Sequence, residues 1–189
     1  MQLTARFRDT LAYAAELHAD QSRKASDVPY IAHLLGVTSI ALEHGADEDE
    51  AIAALLHDAV EDQGGQRTAD EIRRRFGDRV TEIVLGCTDA DTIPKPPWRA
   101  RKEAYIAHME QASPSVWLVA AADKLYNARS ILSDFRRLGE AVWSRFNGGK
   151  EGTLWYYRTL SNKLRDKAPP ALAEELERVV SELEREVKA

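Results

Sequence analysis

Apolar residues recur at intervals of three and four along almost the whole chain, and no stretch alternates between apolar and polar as a half-buried strand would. The first such stripe, in residues 4–20, predicts a helix. The last, in residues 171–187, predicts an amphipathic helix. The pattern therefore predicts an all-α fold of about ten helices. We expect one domain over residues 1–168, with residues 169–189 packed on it as the terminal helix.

Turn and capping residues divide the middle of the chain into further elements. Acidic residues from Asp47 onward open a helix that we expect to continue unbroken to Asp62. Thr68 and Glu71 have the spacing of a capping box and predict the start of another helix. Residues 89–98 contain three prolines and are predicted to form a loop.

The second half of the chain gives similar signals. Ser113 and Pro114 predict the start of an apolar helix that ends near Leu132. Residues 134–146 are predicted to form a separate helix. The glycine-rich residues 147–152 predict a break before a helix rich in aromatic residues.

A polar stretch follows the apolar part of the helix that starts at Asp47. Its ionisable residues are His57, Asp58, Glu61 and Asp62. Residues four apart share a helix face, so His57 and Glu61 form one stripe. Asp58 and Asp62 form the stripe beside it, and both stripes lie close to the apolar side. A core histidine beside a solvated acidic helix end is the alternative. Four interleaved polar groups instead favour a metal site, because a buried carboxylate is costly unless it is paired or binds a cation.

Two further residues complete the predicted ligand set. Asp123 ends an apolar run in mid-helix, where a buried pair with Lys or Arg is the alternative. Lys124 is adjacent, but we expect the two side chains to point in different directions because they are neighbours on a helix. His33, early in the second helix, supplies the fourth ligand. Two imidazoles and two carboxylates suit Mn²⁺, Fe²⁺, Co²⁺ or Zn²⁺ better than Mg²⁺ or Ca²⁺, which prefer oxygen ligands.

The composition narrows the class of protein. A net charge of −5 argues against nucleic acid or an anionic membrane as a partner. The one cysteine, Cys87, excludes a disulfide framework and a cysteine-rich zinc site. No run approaches the roughly 18 apolar residues that span a bilayer, and the N-terminus lacks a signal-peptide core. These features predict a cytoplasmic protein.

Several motifs that carry ionisable residues occur in a fixed order. They are Arg23-Lys24, Pro29-Tyr30-Ile31-Ala32-His33, His57-Asp58-Ala59-Val60-Glu61-Asp62 and Asp123-Lys124-Leu125-Tyr126-Asn127-Ala128-Arg129. Together they resemble the HD-domain phosphohydrolases and, more narrowly, the hydrolase domain of RelA/SpoT proteins. The resemblance covers roughly residues 5–135. Because the chain is short, it is similar to the stand-alone small alarmone hydrolases, which include the metazoan SpoT homologues.

The resemblance implies an HD-domain helical bundle and a metal-dependent hydrolase. The implied reaction removes pyrophosphate from the 3′ position of a (p)ppGpp-like alarmone, in a guanine or adenine form. Two positions depart from the family pattern. Leu34 replaces a proline that usually follows the first histidine ligand, and Tyr126 replaces a histidine.

Further residues are predicted to act on the substrate. Glu61, one turn beyond His57, is the candidate that orients or deprotonates the attacking water, and Asp62 shares or supports that role. An acidic helix end is the alternative for this pair. Arg23 and Lys24 are predicted to receive phosphate oxygens, with two solvated loop charges as the alternative.

The remaining predicted substrate contacts come from the second half of the chain. They are Lys124, Asn127, Lys150 and Tyr156. Ordinary surface positions are the alternative for the last two, and also for three weaker candidates. These are Lys95, Arg101 and Lys102.

Several alternative functions remain open at this stage. Within enzymes they are a 2′-phosphatase acting on NADPH and a nucleoside monophosphate phosphatase. Outside enzymes they are a nucleotide sensor without turnover and a helical interaction protein built on the last helix.

We expect one divalent transition metal per chain, with Mn²⁺ preferred, and a small-molecule nucleotide as the substrate. The last helix can also supply the contact of a homo-oligomer.

Overall fold

A computed structural model of the chain describes residues 2–24, 26–89 and 95–188. In these ranges the protein consists of α-helices and one 3₁₀ helix, and no strand is formed beyond one isolated bridge. The predicted all-α fold is therefore confirmed. None of the described helices is long and apolar enough to cross a membrane.

The chain divides into two units, Met1–Pro96 and Pro97–Ala189. The organisation expected from the sequence, one domain over residues 1–168 with the last helix packed on it, stays a prediction. The helices of the first unit are α1 (Ala5–Leu17), α2 (Ile31–Glu43), α3 (Glu48–Leu56), α4 (Ala59–Gln63), α5 (Gln66–Phe76) and α6 (Asp78–Cys87). Those of the second are α7 (Trp98–His108), α8 (Pro114–Leu138), the 3₁₀ helix Gly139–Arg145, α9 (Gly149–Leu164) and α10 (Pro170–Lys188).

Helix α3 is the centre of the first unit. Its residues 51–56 are all apolar and fully buried, and α1, α2 and α6 pack around it. A reciprocal capping box fixes its start: Asp47 Oδ1 accepts from Glu50 N at 3.0 Å, and Glu50 Oε2 accepts from Asp47 N at 2.8 Å. The last residue of this buried helix is Leu56, and His57 follows it directly.

Two sequence predictions are wrong in this unit. The helix expected to run unbroken to Asp62 ends at Leu56, and α4 begins only after a short turn. The capping box predicted at Thr68 is absent, because α5 already starts after Gly65, a residue with φ of 60°. Thr68 instead lies inside α5, where its hydroxyl donates to the Gln63 carbonyl at 3.0 Å. Of the loop predicted for residues 89–98, residues 90–94 lie outside the described residues.

Helix α8 is the centre of the second unit. The Ser113 hydroxyl accepts from Val116 N at 3.3 Å and Pro114 occupies the first turn, so the predicted start is confirmed. The predicted end at Leu132 is wrong. The helix continues to Leu138, and the rest of the segment expected to be a separate helix is a 3₁₀ helix. Helix α10 packs against α8 and α9.

The glycines before α9 have a packing role. The predicted break over residues 147–152 is too long, because α9 already begins at Gly149. The indole of Trp98 lies against this helix start. A Cβ on Gly148 would approach Trp98 Cη2 to 2.5 Å, and one on Gly152 would approach the same ring to 3.0 Å. These two glycines therefore allow close approach of an aromatic ring.

Candidate active site

Two histidines and one aspartate of the first unit converge at the end of α3. His57 follows the last residue of α3, Asp58 precedes α4, and His33 lies in the first turn of α2. The Nε2 atoms of His33 and His57 lie 3.3 and 3.0 Å from the same oxygen, Asp58 Oδ2. One candidate ligand atom from each residue lies within 4.8 Å of the others. Both histidines are buried, whereas the Asp58 side chain is 22% exposed.

The tautomer of His57 is set by the backbone. His57 Nδ1 lies 2.9 Å from the Ala54 carbonyl oxygen, which can only accept, so Nδ1 carries the proton. A neutral His57 therefore directs the Nε2 lone pair at Asp58 Oδ2. Two acceptors at this distance repel each other unless a cation is shared between them. The short distance between His57 Nε2 and Asp58 Oδ2 is therefore compatible with either a second proton on His57 or a metal ion between the two residues.

Asp58 is held in its ionised form. Desolvation raises the pKa of this carboxyl, but the charge of His57 and hydrogen bonds from both histidines outweigh it. The pKa of Asp58 is therefore well below its ordinary value. An ionised carboxylate beside two imidazoles is a competent ligand set for a divalent transition metal.

Tyr30 was not predicted to have a role at this site. Its hydroxyl donates to Asp58 Oδ2 at 2.6 Å, and its ring lies edge-on to His33 at 5.4 Å between centroids. The same ring stacks on His18 at 5.2 Å. The sequence signal was weak, because Tyr30 appeared only as one residue of the motif that ends in His33.

The predicted catalytic pair lies on α4, in the same unit. Glu61 Oε1 accepts from Lys95 Nζ at 2.7 Å, and Oε2 accepts from Asp89 N at 3.3 Å. Asp62 Oδ2 accepts from Gln21 Nε2 at 2.9 Å. The sequence predicted that these acids continue a helical stripe from His57. The turn between α3 and α4 interrupts that helix, so the predicted stripe is not formed. Lys95, one of the weaker candidates, directly contacts Glu61.

The basic pair precedes α2 on a narrow hairpin. Arg23 N donates to the Val28 carbonyl at 2.8 Å, and Tyr30 N donates to the Gln21 carbonyl at the same distance. The guanidinium carbon of Arg23 lies 6.0 Å from the centroid of the Tyr30 ring. Arg23 is therefore close to Tyr30, whose hydroxyl donates to Asp58. Lys24 is exposed on the same hairpin.

In the second unit, Asp123 accepts hydrogen bonds from two side chains of its own helix. Lys124 Nζ donates to Asp123 Oδ2 at 2.5 Å, and Asn127 Nδ2 donates to Oδ1 at 2.5 Å. The expectation that Lys124 points away is wrong, because its long side chain folds back onto the buried carboxylate. Burial lowers the pKa of Lys124, but the charge of Asp123 outweighs this and raises the pKa well above its ordinary value. The buried ion pair that the sequence left open is thus present.

The other two predicted substrate contacts lie at different places in this unit. Tyr156 is buried, and the Nζ atoms of Lys102 and Lys124 lie 4.8 and 5.8 Å from its ring centroid. It is therefore close to the Asp123–Lys124 pair. Lys150 Nζ bonds Glu140 Oε1 at 2.7 Å, next to the 3₁₀ helix.

A family model described as HD domain matches residues 10–154. The chain is 42% identical over 135 residues to a guanosine-3′,5′-bis(diphosphate) 3′-pyrophosphohydrolase MESH1 of Xenopus tropicalis, covering 70% of both proteins. It is 38% identical over 135 residues to the protein of the same name from Homo sapiens, again with 70% coverage of both.

Solved structures are similar over a larger share of the chain. A metazoan ortholog of SpoT that hydrolyzes ppGpp matches with a TM-score of 0.80 and 26% identity, covering 99% of both chains. A crystal structure from Listeria monocytogenes matches with a TM-score of 0.70 and 31% identity, covering 83% of this chain and 99% of the other.

Proposed function

Because this chain belongs to the HD-domain family, we propose that it is a metal-dependent phosphohydrolase that removes pyrophosphate from the 3′ position of a (p)ppGpp-like purine nucleotide. The similar curated proteins are named for this reaction. The observation that carries the proposal is the convergence of His33, His57 and Asp58, with two further acids on the helix that follows.

His33, His57 and Asp58 would hold the cation. The donor set fits because the His57 tautomer leaves Nε2 as the ligand atom and because Asp58 is ionised. HD-domain hydrolases are metal-dependent, and we propose Mn²⁺ as the ion for this mixed nitrogen and oxygen set. When bound, such a cation lowers the pKa of a water and neutralises charge on a phosphoryl oxygen.

Glu61 is the proposed group that takes the proton of the attacking water. It lies on α4, directly after the turn formed by His57 and Asp58, and its carboxylate accepts from the Lys95 ammonium at 2.7 Å. Asp62 is proposed to orient the same water from the neighbouring position on α4.

Arg23 and Lys24 are proposed to bind the pyrophosphate group. Their hairpin enters α2 immediately before His33, and two cations favour binding of the multiply charged pyrophosphoryl group while water displaces the ribose 3′ oxygen from it. Replacing both with Glu should raise KM sharply while the metal content is unchanged. An unchanged KM would identify the pair as ordinary surface.

Asp123 is proposed as a fourth ligand, supported by the buried position of its carboxylate in an apolar helix. Lys124, Asn127, Tyr156 and Lys150 are proposed to contact the nucleotide. For the first three the support is their shared location around Asp123. Lys150 rests on the sequence alone.

The alternatives to this reaction are not favoured. The similar curated proteins are named neither for an NADPH or nucleoside monophosphate phosphatase nor for a sensor. Comparing kcat/KM for the alarmone, NADPH and a nucleoside monophosphate tests this directly. The guanine and adenine forms should be compared in the same assay. The predicted homo-oligomer is checked by light scattering.

The ligand set is tested by metal content together with turnover. His57→Ala should lose both, because it removes one of the converging nitrogens. His108→Ala is the matched control, since this histidine is exposed at the end of α7. Asp123→Ala should also lose metal if it is a ligand. Full metal occupancy in His57→Ala would contradict the proposed centre.

A further inference from the structure

The carboxylate of Asp62 is held by an amide network outside the candidate metal centre. Gln21 Nε2 donates to Asp62 Oδ2 at 2.9 Å. On its other side, Gln21 Oε1 lies 2.5 Å from Gln63 Nε2 and 2.6 Å from His18 Nδ1. One side-chain amide therefore connects the end of α1, the hairpin and α4.

The direction of this amide is set by its neighbours. An ionised carboxylate can only accept hydrogen bonds, so Gln21 must present its NH₂ group to Asp62. Its oxygen then faces Gln63 and His18, and it requires a donor from each. His18 Nδ1 therefore carries a proton. Reversing the Gln21 amide would place two acceptors against each other at Asp62, at a distance of 2.9 Å.

We propose that Gln21 is a positioning residue that holds Asp62 in the orientation needed for hydrolysis. This inference rests on the catalytic role proposed above for Asp62. The Asp62 side chain is 27% exposed, and Lys95 Nζ lies 3.8 Å from its Oδ1, beyond hydrogen-bond distance. Without the shorter bond from Gln21, the carboxylate can therefore turn into solvent. Gln21 limits that motion because donors on its far side fix its own position. It acts through Asp62 and does not touch the reacting atoms.

Two substitutions separate the hydrogen bond to Asp62 from the rest of the network. Gln21→Met removes every hydrogen bond of the amide. Gln21→Glu keeps an oxygen that accepts from His18 and Gln63, but it turns a second carboxylate oxygen towards Asp62. We expect both variants to lower kcat by about tenfold or more, because a hydrogen bond to a charged group is lost. KM should stay within about twofold of wild type, and metal content should be unchanged.

A matched control and a double variant complete the experiment. Gln66 Nε2 donates to Asp70 Oδ1 at 2.8 Å on the exposed surface of α5, so Gln66→Met removes a similar bond away from the site. Its kcat should equal that of wild type. The double variant Gln21→Met/Asp62→Asn should be no slower than Asp62→Asn alone, since the two residues act as one unit.

The outcomes distinguish the inference from the proposed function. Wild-type kcat in Gln21→Glu would overturn the inference, because the amide would then serve only as a structural brace. Additive losses in the double variant would overturn it as well. If Asp62→Asn itself keeps full turnover, the proposed role of Asp62 fails and the inference fails with it. Melting temperatures identify any loss of kcat that results from unfolding. If Gln21→Met does not fold, Gln21→Glu supplies the test.

Discussion

The buried pair of Asp123 and Lys124 predicts a large and specific loss of stability. Their side chains are only 9% and 14% exposed, and they are joined at 2.5 Å. Lys124→Met keeps much of the side-chain volume but leaves the Asp123 carboxylate without its cation. The hydrogen bond from Asn127 remains.

The size of the effect follows from the burial. Removing one partner of a buried ion pair costs about 3–5 kcal/mol. Because Asn127 still stabilises the carboxylate, we expect about 3 kcal/mol, near the lower end of that range. For a chain of this size, this corresponds to a fall in melting temperature of roughly 6–12 °C. Asp123→Asn/Lys124→Met removes both charges and should recover most of the loss.

The assay is thermal unfolding of metal-free protein at pH 7, followed by circular dichroism. Glu103→Gln is the control, since the Arg99–Glu103 pair is 54% and 56% exposed and should contribute at most about 0.5 kcal/mol. If Asp123 is also a metal ligand, added Mn²⁺ should narrow the gap between Lys124→Met and wild type. A Lys124→Met variant that melts within about 2 °C of wild type would contradict this prediction, because about 3 kcal/mol corresponds to a fall of roughly 6 °C or more.

Three further predictions concern the site and its support. Glu61→Gln should keep the metal and lower kcat by about 10²–10⁴-fold, as measured by turnover and elemental analysis; turnover close to wild type would remove Glu61 from the mechanism. The pKa of Asp58 is depressed in the metal-free fold, so its contribution to stability is present above about pH 4 and is lost as the pH falls through the folded pKa. Urea unfolding across this range should therefore show the gap between wild type and Asp58→Asn closing at low pH, and a constant gap would contradict this. Gly148→Ala should destabilise the protein by about 1–3 kcal/mol, because its Cβ would meet the Trp98 ring, and Gly152→Ala should destabilise it by less. If Gly148→Ala has the melting temperature of wild type, the Trp98 ring moves aside freely.

Most of the helices, and the position of His57 and Asp58 at the end of a buried helix, could be predicted because both depend on local patterns. The spacing of apolar residues identified α1, α2 and α10. The apolar run before His57 indicated that the histidine and Asp58 lie at the end of a buried helix. The turn that follows Leu56 gave no signal, since this segment contains neither Gly nor Pro. Tertiary packing decides such a break.

Contacts between distant residues could not be predicted from local patterns. Lys95 reaches Glu61 across 34 positions, and Gln21 reaches Asp62 across 41. The ion pair of Lys124 with Asp123 was left open as an alternative but was not preferred, for a different reason. Neighbouring helical residues start in different directions, but a long flexible side chain can fold back when a buried carboxylate has to be neutralised.

The identity of the released product decides whether this chain removes pyrophosphate from the 3′ position of a nucleotide. Metal-loaded protein is incubated with guanosine and adenosine nucleotides that carry a 3′-pyrophosphate, and the products are separated by ion-exchange chromatography. We predict one pyrophosphate per nucleotide consumed and a product with a free 3′ hydroxyl, with neither formed by His57→Ala. Release of orthophosphate alone from every nucleotide tested would rule out this reaction.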